Sequence, residues 1–452
     1  ADLCENYHMY PYYYMGMIDY QNKKFKEAEG HFQKFLSIEF DDPRWYPKDY
    51  EEKYLEVEGI LPQCAYYDSL YSNPVPFAPE VVKGISSRSN EYLGIISPDN
   101  EVALYIRRHF VKRKNDLTPK EIEEFTRSKR LPNGEFDEGK AMPRPFNVSE
   151  NVGSATLTVD NKRMFLTICE PNADGYKNCD VFYSNWSYHG WSEPINVGPG
   201  VNGKNSFEGQ PTVTPDGKTL YFVSIREDEI GAIDNMDLYV SHLQEDGTWS
   251  KATNLGTTIN TKGHEKSPFI HEDSHTLYFS SDGHKGIGNF DIYYTKQNEA
   301  GEWIKPKNIG FPINTEGADV GFFVAVDGET AFISTEDRQD GVGGWDLFSF
   351  PLYKDARPEK VLFLKGKLRD ENNKRITNAK LTFKDMKTKE ITEVEVDTLT
   401  GDYVAVMNFS NDIVMTVEKK DAAFTSRYLS TKDSTLNEIK KVDIEVKQVK
   451  VG

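Results

Sequence analysis

The segment TPDGKTLYFVS at residues 214–224 decides the fold, because variants of it return along the middle of the chain. In most copies an Asp-Gly or Asp-Asn pair forms a tight turn, and an alternating apolar strand follows. The turn aspartates are spaced by 61, 56, 57 and 54 residues, a period typical of one blade of a β-propeller. The other copies are ISPDNEVALYI (96–106), TVDNKRMFLTI (158–168), HEDSHTLYFSS (271–281) and AVDGETAFIST (325–335), and the five turn residues are Asp99, Asp160, Asp216, Asp273 and Asp327.

Further strands complete each unit. A second strand follows the first, and a Trp-containing outer strand ends in Asn-x-Gly at Asn196, Asn254 and Asn308. A sheet of about four short strands cannot bury both faces alone, whereas sheets stacked around an axis can. The second strands are CDVFYS (179–184), MDLYVS (236–241), FDIYYT (290–295) and WDLFSF (345–350). We therefore predict a mainly β protein with a propeller of five or six blades over residues 73–357.

The first repeat departs from the others at both of its ends. Residues 76–96 have the pattern of a blade's tail without earlier strands, which predicts that they close the ring by completing the last blade. Residues 109–140 are an insertion, in which Thr118 is expected to cap a helix with Pro119 in its first turn. We expect the insertion to project from the rim, either as a partner contact or as a solvated decoration.

The propeller segment is flanked by two different regions. Residues 1–72 have helical periodicity, and Gly16, Ala28 and Phe32 occupy the small and aromatic positions where paired helices of a tetratricopeptide repeat pack. Residues 358–432 alternate like strands between Asn-Asn and Thr-Gly-Asp turns, which predicts a small β-sandwich. The charged residues 433–452 are expected to be a linker towards a further domain.

The composition excludes some classes of partner. The chain has 452 residues with 54 Lys plus Arg against 72 Asp plus Glu, a formal charge of −18. Because phosphate binding needs clustered basic residues, neither nucleic acid nor an anionic membrane surface is expected as a partner. The mean hydropathy is −0.63, and no apolar stretch approaches the roughly 20 residues of a transmembrane helix.

The sequence offers little support for catalysis. The Gly-x-Ser-x-Gly elbow of serine hydrolases does not occur, and Asp99, Asp216 and Asp327 are interpreted as turn formers. A glycan hydrolase would need two carboxylates at the propeller axis, and none of the 72 acids stands out. This alternative predicts two close acids and a raised pKa at the axis, whereas aliphatic and hydroxyl side chains there would argue against it. Exposed aromatic side chains on one rim would instead favour a glycan-binding module without turnover.

No cofactor or metal site is predicted. The histidines lie outside zinc-binding motifs, and they include His264, His271, His275 and His284. An acidic loop could hold calcium, although a solvated loop is the preferred interpretation; its acids are Glu227, Asp228, Glu229, Asp234 and Asp237.

Four cysteines bear on the compartment. Cys169 and Cys179 flank a loop between adjacent antiparallel strands, which permits a disulfide in an oxidising compartment. Two free buried thiols are the alternative. Cys4 and Cys64 lie in the helical part, and the sequence leaves their pairing open.

The repeats resemble a known architecture. TPDGKTLYFVS, the segment DSHTLYFSSDGHKGIGNFDIYYT (273–295) and the tail WIKPKNIGFPIN (303–314) resemble the PD40 (WD40-like) propeller of OmpA-family proteins of Bacteroidetes. KGKLRDENNKRITNAKLTF (365–383) and LTGDYVAVM (399–407) resemble a carboxypeptidase regulatory-like domain. The order of the parts, with the tetratricopeptide-like segment first, is similar to that of PorE-like components of the type IX secretion and gliding machinery.

The resemblance implies a non-enzymatic scaffold or adaptor in the periplasm, associated with the outer membrane. Its expected partners are other secretion and motility proteins of the cell envelope. In that family a C-terminal OmpA-like domain, which is absent from this chain, binds peptidoglycan. The chain is accordingly expected to be a processed or trimmed product.

Overall fold

The computed structural model describes residues 9–112, 118–147, 152–171, 175, 177–226, 235–336, 338, 340–377, 379–419, 425–433 and 440–446. The chain divides into two compact units, one formed by Ala1–Pro76 with Gly310–Thr315 and the other by Phe77–Ile309 with Glu316–Gly452. Within the described ranges, no helix has the length and apolar character needed to cross a membrane.

The first unit is helical, as predicted. It contains α1 (Tyr10–Gln21), α2 (Phe25–Leu36), a short 3-10 helix (Pro43–Trp45) and α3 (Tyr50–Ser72). The helices α1 and α2 form a tight pair, because a Cβ atom on Gly16 would lie 2.5 Å from the ring of Phe32. Ala28 and Phe32 are both fully buried at this contact.

Five sheets of the second unit form the propeller. Their inner strands β2, β6, β11, β15 and β19 contact one another in that order, and β19 contacts β2, so the ring is closed. Blade 1 contains β2 (Asn90–Ile96), β3 (Val102–Val111), β4 (Lys120–Lys129) and β5 (Lys140–Ala141), and blade 2 contains β6 (Val152–Leu157), β7 (Arg163–Pro171), β8 (Lys177–Ser187), β9 (Gly190–Trp191) and β10 (Ile195–Asn196). Blade 3 contains β11 (Phe207–Val213), β12 (Thr219–Ile225), β13 (Asp237–His242) and β14 (Thr253–Asn254), and blade 4 contains β15 (Glu265–Ile270), β16 (Thr276–Ser281), β17 (Asp291–Lys296) and β18 (Lys307–Asn308). Blade 5 contains β19 (Val320–Val324), β20 (Thr330–Glu336) and β21 (Trp345–Pro351) together with β1 (Glu80–Val81).

The fifth blade is completed from the other end of the propeller segment. Strand β1 pairs antiparallel with β21, with Glu80 opposite Ser349 and Val81 opposite Phe348. The predicted ring closure by residues 76–96 is therefore observed, and the ring has five blades rather than six.

The helix predicted in the insertion 109–140 is wrong. Strand β4 pairs with β3 over its whole length, from Val102 opposite Lys129 to Val111 opposite Lys120. The residues after Thr118 and Pro119 are thus the third strand of blade 1 and do not project as a helix. Its glutamates favour a helix locally, but pairing with β3 and burial of Phe125 override that preference. Leu117 and the four residues before it lie outside the described part.

The predicted β-sandwich follows the propeller and belongs to the same unit. Its two sheets have the orders β25-β22-β28, with β29 also on β22, and β24-β23-β26-β27. Its short strands β28 and β29 lie in the segment predicted to be a linker and run parallel to β22. The core between the sheets includes Leu364, Leu381, Phe383, Tyr403 and Met415. The strands are β22 (Val361–Arg369), β23 (Lys380–Asp385), β24 (Ile391–Val394), β25 (Asp402–Asn408), β26 (Ile413–Glu418), β27 (Thr425–Leu429), β28 (Lys440–Lys441) and β29 (Ile444–Glu445).

Candidate functional site

The propeller axis is narrow. Each inner strand carries a bulge at the same level, and these bulges line a cavity of about 50 Å³. A cavity of this size suits one or two water molecules and is far below the roughly 300 Å³ of small-molecule sites. Its lining consists of small, hydroxyl, amide, proline, aliphatic and aromatic side chains, among them Ile95, Ser154, Gln210, Thr212, Ser267 and Phe323.

Three hydrogen bonds at the axis join blades 2, 3 and 4 to one another. The amide oxygen of Gln210 accepts the Ser267 N–H at 2.6 Å, and the Thr212 hydroxyl accepts the Ile270 N–H at 3.2 Å. Thr167 in turn accepts the N–H of Gln210 at 2.9 Å. No carboxylate is among the described residues that line the cavity. The pair of acids that a hydrolase at the axis requires is therefore not found there.

Buried acids lie instead where the inner strands begin, a position that the sequence analysis missed. Glu91, Glu208 and Glu265 are fully buried. Glu208 accepts hydrogen bonds from the Gly203 N–H at 2.7 Å and from the Arg226 guanidinium at 2.8 Å. The separation of Glu208 from Glu265 is 57 residues, the same as that of Asp216 from Asp273, and this recurrence was the available signal.

Each of these three buried acids is hydrogen-bonded to groups of its own blade or of the loop that enters it. Glu91 accepts from the Ser87 N–H at 2.9 Å and from the Arg107 guanidinium at 2.7 Å. Glu265 accepts from the hydroxyls of Thr261 at 2.8 Å and Ser281 at 2.7 Å. Each carboxylate thus fixes the loop that enters its blade.

The Asn-x-Gly tail of the repeat closes the outer edge of blade 3. In blade 3 the Asn254 amide donates to Asp237 at 2.9 Å, and the Asn260 amide donates to Asn254 at 2.7 Å. Asn260 also accepts the N–H of Leu238 at 2.9 Å. In blade 4 burial raises the pKa of Asp291 to about 6, although that carboxylate accepts backbone N–H groups of the preceding loop. Asp291 therefore belongs to the framework of its blade and is not among the residues that line the cavity at the axis.

The turn aspartates form turns and also meet the sandwich. Asp216 illustrates the turn, since it accepts the Thr214 hydroxyl at 2.6 Å and the Lys218 N–H at 3.0 Å. In blade 4, Asp273 accepts the N–H of Glu359 at 2.8 Å, at the start of the sandwich. In blade 1, Asp99 lies 3.4 Å from the ammonium of Lys365.

The contact between the propeller and the sandwich extends over four blades. Lys365 also pairs with Glu101 of blade 1 at 2.5 Å, and Lys162 of blade 2 pairs with Asp397. Burial alone would raise the pKa of Asp397, but the hydrogen bond from Lys162 and two backbone N–H groups lower it well below its usual range. An apolar cluster lies between them, formed by Val159, Val326, Val361, Phe363, Val404 and Val406. The sandwich therefore lies across the turn end of the propeller.

The histidines singled out in the sequence serve as local hydrogen-bond partners. His264 accepts the N–H of Met236 at 3.1 Å, and His271 accepts the N–H of Asp273 at 3.1 Å in a fully buried position. His275 pairs with the Gln297 amide at 3.0 Å, and His284 lies 2.7 Å from the Ile259 carbonyl. Over the ranges given above, no three His, Cys, Asp or Glu side chains come together as metal ligands. Of the acidic loop, only Asp237 lies within those ranges.

A disulfide joins Cys169 and Cys179, which face each other across β7 and β8. Cys64 carries a free buried thiol in α3, and burial raises its pKa to about 11. Cys4 lies outside the described residues.

Two exposed aromatic side chains lie close together in sequence on blade 2. We call residues 185–191 the aromatic hairpin, in which Trp186 is 51% and Tyr188 is 99% exposed. Trp186 lies opposite Trp191, and their ring centroids are 5.4 Å apart. The matching turns of blades 3 and 4 read QEDGT (244–248) and NEAGE (298–302), without aromatic residues. The Trp186 N–H donates to the carbonyl of Lys162, so the hairpin adjoins the sandwich contact.

The fold thus defines a mainly β protein built on a closed five-bladed propeller. No protein-family model matches the chain, and no curated protein matches it by sequence. Among solved structures it is similar to a TolB-like protein from Agrobacterium tumefaciens, with 11% identity, 73% of this chain and 96% of that chain covered, and a TM-score of 0.36. It is also similar to the α-L-arabinofuranosidase PaAbf62A of Podospora anserina (10% identity, 61% and 95% covered, TM-score 0.34) and to sucrose-6-phosphate hydrolase of Lactobacillus gasseri (10%, 82% and 91%, TM-score 0.39).

Proposed function

We propose that the chain is a non-enzymatic scaffold or adaptor of the periplasm, associated with the outer membrane. It resembles PorE-like proteins, which link the secretion and gliding machinery to peptidoglycan through a downstream OmpA-like domain. The observation that carries the proposal is the narrow axis, where hydrogen bonds join blades 2, 3 and 4 and the described residues that line the cavity include no carboxylate. Such a framework suits recognition of other proteins by its edges and loops.

Two further features support this proposal. The sandwich is fastened to the turn end of the propeller by ion pairs and an apolar cluster, so the two present their surfaces in a fixed relation. The disulfide of Cys169 and Cys179 suits an oxidising compartment such as the periplasm.

The test is isolation of the tagged chain from its native cell envelope in mild detergent, followed by identification of what is retained. We expect other envelope proteins of secretion or motility to be retained, and the chain to fractionate with the outer membrane. Recovery as a lone soluble monomer, or a measured bond-cleaving activity on envelope glycans, would contradict the proposal.

A second candidate, glycan binding without turnover, is favoured by the aromatic hairpin. Exposed Trp and Tyr rings such as Trp186 and Tyr188 offer flat apolar faces with a polar tip at low cost in side-chain entropy. Sedimentation with purified peptidoglycan would test it on the chain and on the variants Trp186→Ser and Tyr188→Ser. Ile304→Ser, at a 43% exposed position of blade 4, is the matched control. Binding lost only in the hairpin variants would support this candidate, and absence of binding by the unaltered chain would remove it.

A further inference from the structure

Blade 4 departs from the repeat in the turn that meets the sandwich. In blades 2 and 5 the residue before the turn aspartate is Val159 and Val326, and both pack in the apolar cluster with Phe363 of the sandwich. Blades 1 and 3 have proline at this position. Blade 4 has Glu272 there, preceded by His271 where the other blades have Ser, Thr or Ala. A titratable pair thus stands where the other four turns carry no titratable side chain.

The two side chains are buried and lie close to each other. His271 is fully buried, and the side chain of Glu272 is 13% exposed. The Nε2 atom of His271 lies 3.5 Å from Oε2 of Glu272 and 3.3 Å from the Ala325 carbonyl oxygen of blade 5. Among the described residues, no Lys or Arg side chain pairs with Glu272. Because an isolated charge is costly to bury, a carboxylate in this place is balanced only if the pair also holds a proton.

This turn is where blade 4 is fastened to the sandwich. Asp273 accepts the N–H of Glu359 at 2.8 Å, at the start of the sandwich. From the strand after the turn, Tyr278 donates to the Ala356 carbonyl at 2.6 Å, in the segment that leads into the sandwich. Since Glu272 directly precedes Asp273, a change of charge on Glu272 acts on the first hydrogen bond between blade 4 and the sandwich.

The elements beside the turn contribute further acids. Asp273 follows Glu272 directly, and Asp327 holds the corresponding position in the turn of blade 5. Glu359 is exposed, as are Lys354 and Asp355 of the short 3-10 helix Lys354–Ala356 that precedes the sandwich. An ionised Glu272 would therefore add a negative charge beside carboxylates that are already present.

The cations of these elements are bound to other groups. Arg357 pairs with Glu329 at 2.6 Å, and Lys296 of β17 donates to the Arg357 carbonyl at 2.7 Å. Lys360 lies over an aromatic ring of the sandwich, 5.4 Å from its centroid. His275, in the same turn as Glu272, is exposed and bonded to a glutamine amide at 3.0 Å. The group within 4 Å that can balance Glu272 is thus the neighbouring histidine.

The pair holds a proton to higher pH in the folded chain than in the unfolded chain. Burial raises the pKa of Glu272. Burial alone would lower the pKa of His271, but the adjacent carboxylates raise it above its ordinary value of 6.5. The unfolded chain releases this proton near that ordinary value, whereas the folded pair keeps it. The free energy that holds the turn in place should therefore decrease as the pH rises above about 6.5.

We propose that the contact between blade 4 and the sandwich is a pH-sensitive joint, which holds while His271 and Glu272 share a proton and loosens when that proton is lost. Loss of the proton leaves a buried carboxylate beside Asp273 without a balancing charge. The ion pairs of Lys365 and Lys162 remain charged over this pH range, so the contacts with blades 1 and 2 persist while the contact with blade 4 opens. The inference does not depend on the proposed scaffold function.

Hydrogen exchange of the whole chain, read by mass spectrometry at pH 6 and pH 8 and corrected for the intrinsic exchange rate at each pH, tests the joint. Residues 358–363 report the contact with blade 4 through the Glu359 N–H. Residues 396–401 report the contact with blade 2, because Asp397 accepts two N–H groups there as well as the Lys162 ammonium. Between pH 6 and pH 8 we expect protection of 358–363 to fall by about tenfold and that of 396–401 to change by less than about twofold.

The variants assign the effect to the pair. Glu272→Val supplies the residue found in blades 2 and 5, and Glu272→Gln keeps the shape of the side chain without its charge. In both variants the pH-dependent fall in protection of 358–363 should disappear. His275→Gln, which removes the exposed histidine of the same turn, is the matched control and should retain the fall. Far-UV circular dichroism verifies that the variants fold.

Three results would overturn the inference. One is protection of 358–363 that does not change with pH in the unaltered chain. Another is an equal fall in the unaltered chain and in Glu272→Gln. The third is an equal fall at 396–401, because the whole chain would then be loosening and not the contact with blade 4. A fall that persists in both Glu272 variants and is lost in His275→Gln would likewise assign the effect to the wrong histidine.

Discussion

Replacing Glu208 by alanine tests how the loop that enters blade 3 is fastened to that blade. Glu208 is fully buried and accepts four hydrogen bonds, from the Gly203 N–H, the hydroxyls of Ser206 and Ser224, and the Arg226 guanidinium, all at 2.7 to 2.8 Å. The alanine variant leaves these donors without their acceptor and the guanidinium without its counter-ion. Breaking a buried ion pair in this way costs about 3–5 kcal/mol.

Urea unfolding followed by tryptophan fluorescence measures the effect. With a slope of about 3 kcal/mol per M of urea, the midpoint is expected to fall by roughly 1–2 M. Glu245→Ala, at an exposed position of the turn after β13, is the matched control and should leave the free energy of unfolding within about 0.5 kcal/mol of that of the unaltered chain.

A double variant distinguishes the effect of breaking the ion pair from the effect of losing packing contacts. When Arg226→Met is added to Glu208→Ala, no charge is left buried without a partner, and apolar replacement of a buried pair is often neutral. We therefore expect the double variant to lose less stability than the sum of the two single variants. A Glu208→Ala variant as stable as the Glu245→Ala control would refute the reasoning, as would full additivity of the two substitutions.

Three further predictions concern other parts of the chain. Gly16→Ala should destabilise the helical unit by about 1–3 kcal/mol, because the new Cβ would lie 2.5 Å from the Phe32 ring. Gly30→Ala should instead stabilise the unit by up to about 1 kcal/mol, because no atom lies within 4 Å of the new Cβ. Circular dichroism during thermal unfolding compares the two variants. Reduction of the disulfide, which spans 10 residues, should lower the free energy of unfolding by about 3 kcal/mol, and an unchanged urea midpoint with reductant would contradict this. Burial raises the pKa of Asp291 from 3.8 to about 6, so the folded chain binds a proton between these pH values that the unfolded chain releases. The free energy of unfolding should therefore fall as the pH rises from 4 to 6. Urea titrations of Asp291→Asn should show a weaker dependence on pH.

The repeat period accounts for much of what the sequence predicts correctly. The turns at Asp99, Asp160, Asp216, Asp273 and Asp327 lie between the first two strands of successive blades, because tight turns are specified by local residues. The closure of the ring by β1 could be predicted from the same pattern, because residues 76–96 resemble the last part of a blade whose first strands do not precede it in the sequence.

The failures have a common physical cause, which is long-range pairing. Strand β4 contains four glutamates or lysines in its first five residues and reads as a helix, yet the paired length of β3 and burial of Phe125 decide its conformation. The contact of Lys365 with Glu101 joins residues 264 positions apart, and no local pattern announces it. The buried acids Glu91, Glu208 and Glu265 could have been found, but only by aligning the residues before each inner strand.

The placement of the sandwich limits how the propeller can bind other molecules. It meets blade 1 at Asp99, blade 2 at Lys162, blade 4 at Asp273 and blade 5 at Val326, so it spans the turn end of the axis. A ligand cannot reach the narrow axis from that end without displacing these contacts. On the proposed scaffold function, recognition by the propeller would use the opposite end or the blade edges, one of which carries the exposed aromatic hairpin of blade 2. If a partner binds through the aromatic hairpin, substitution of Trp186 should abolish binding, whereas disruption of the Lys162 ion pair with the sandwich should leave it intact.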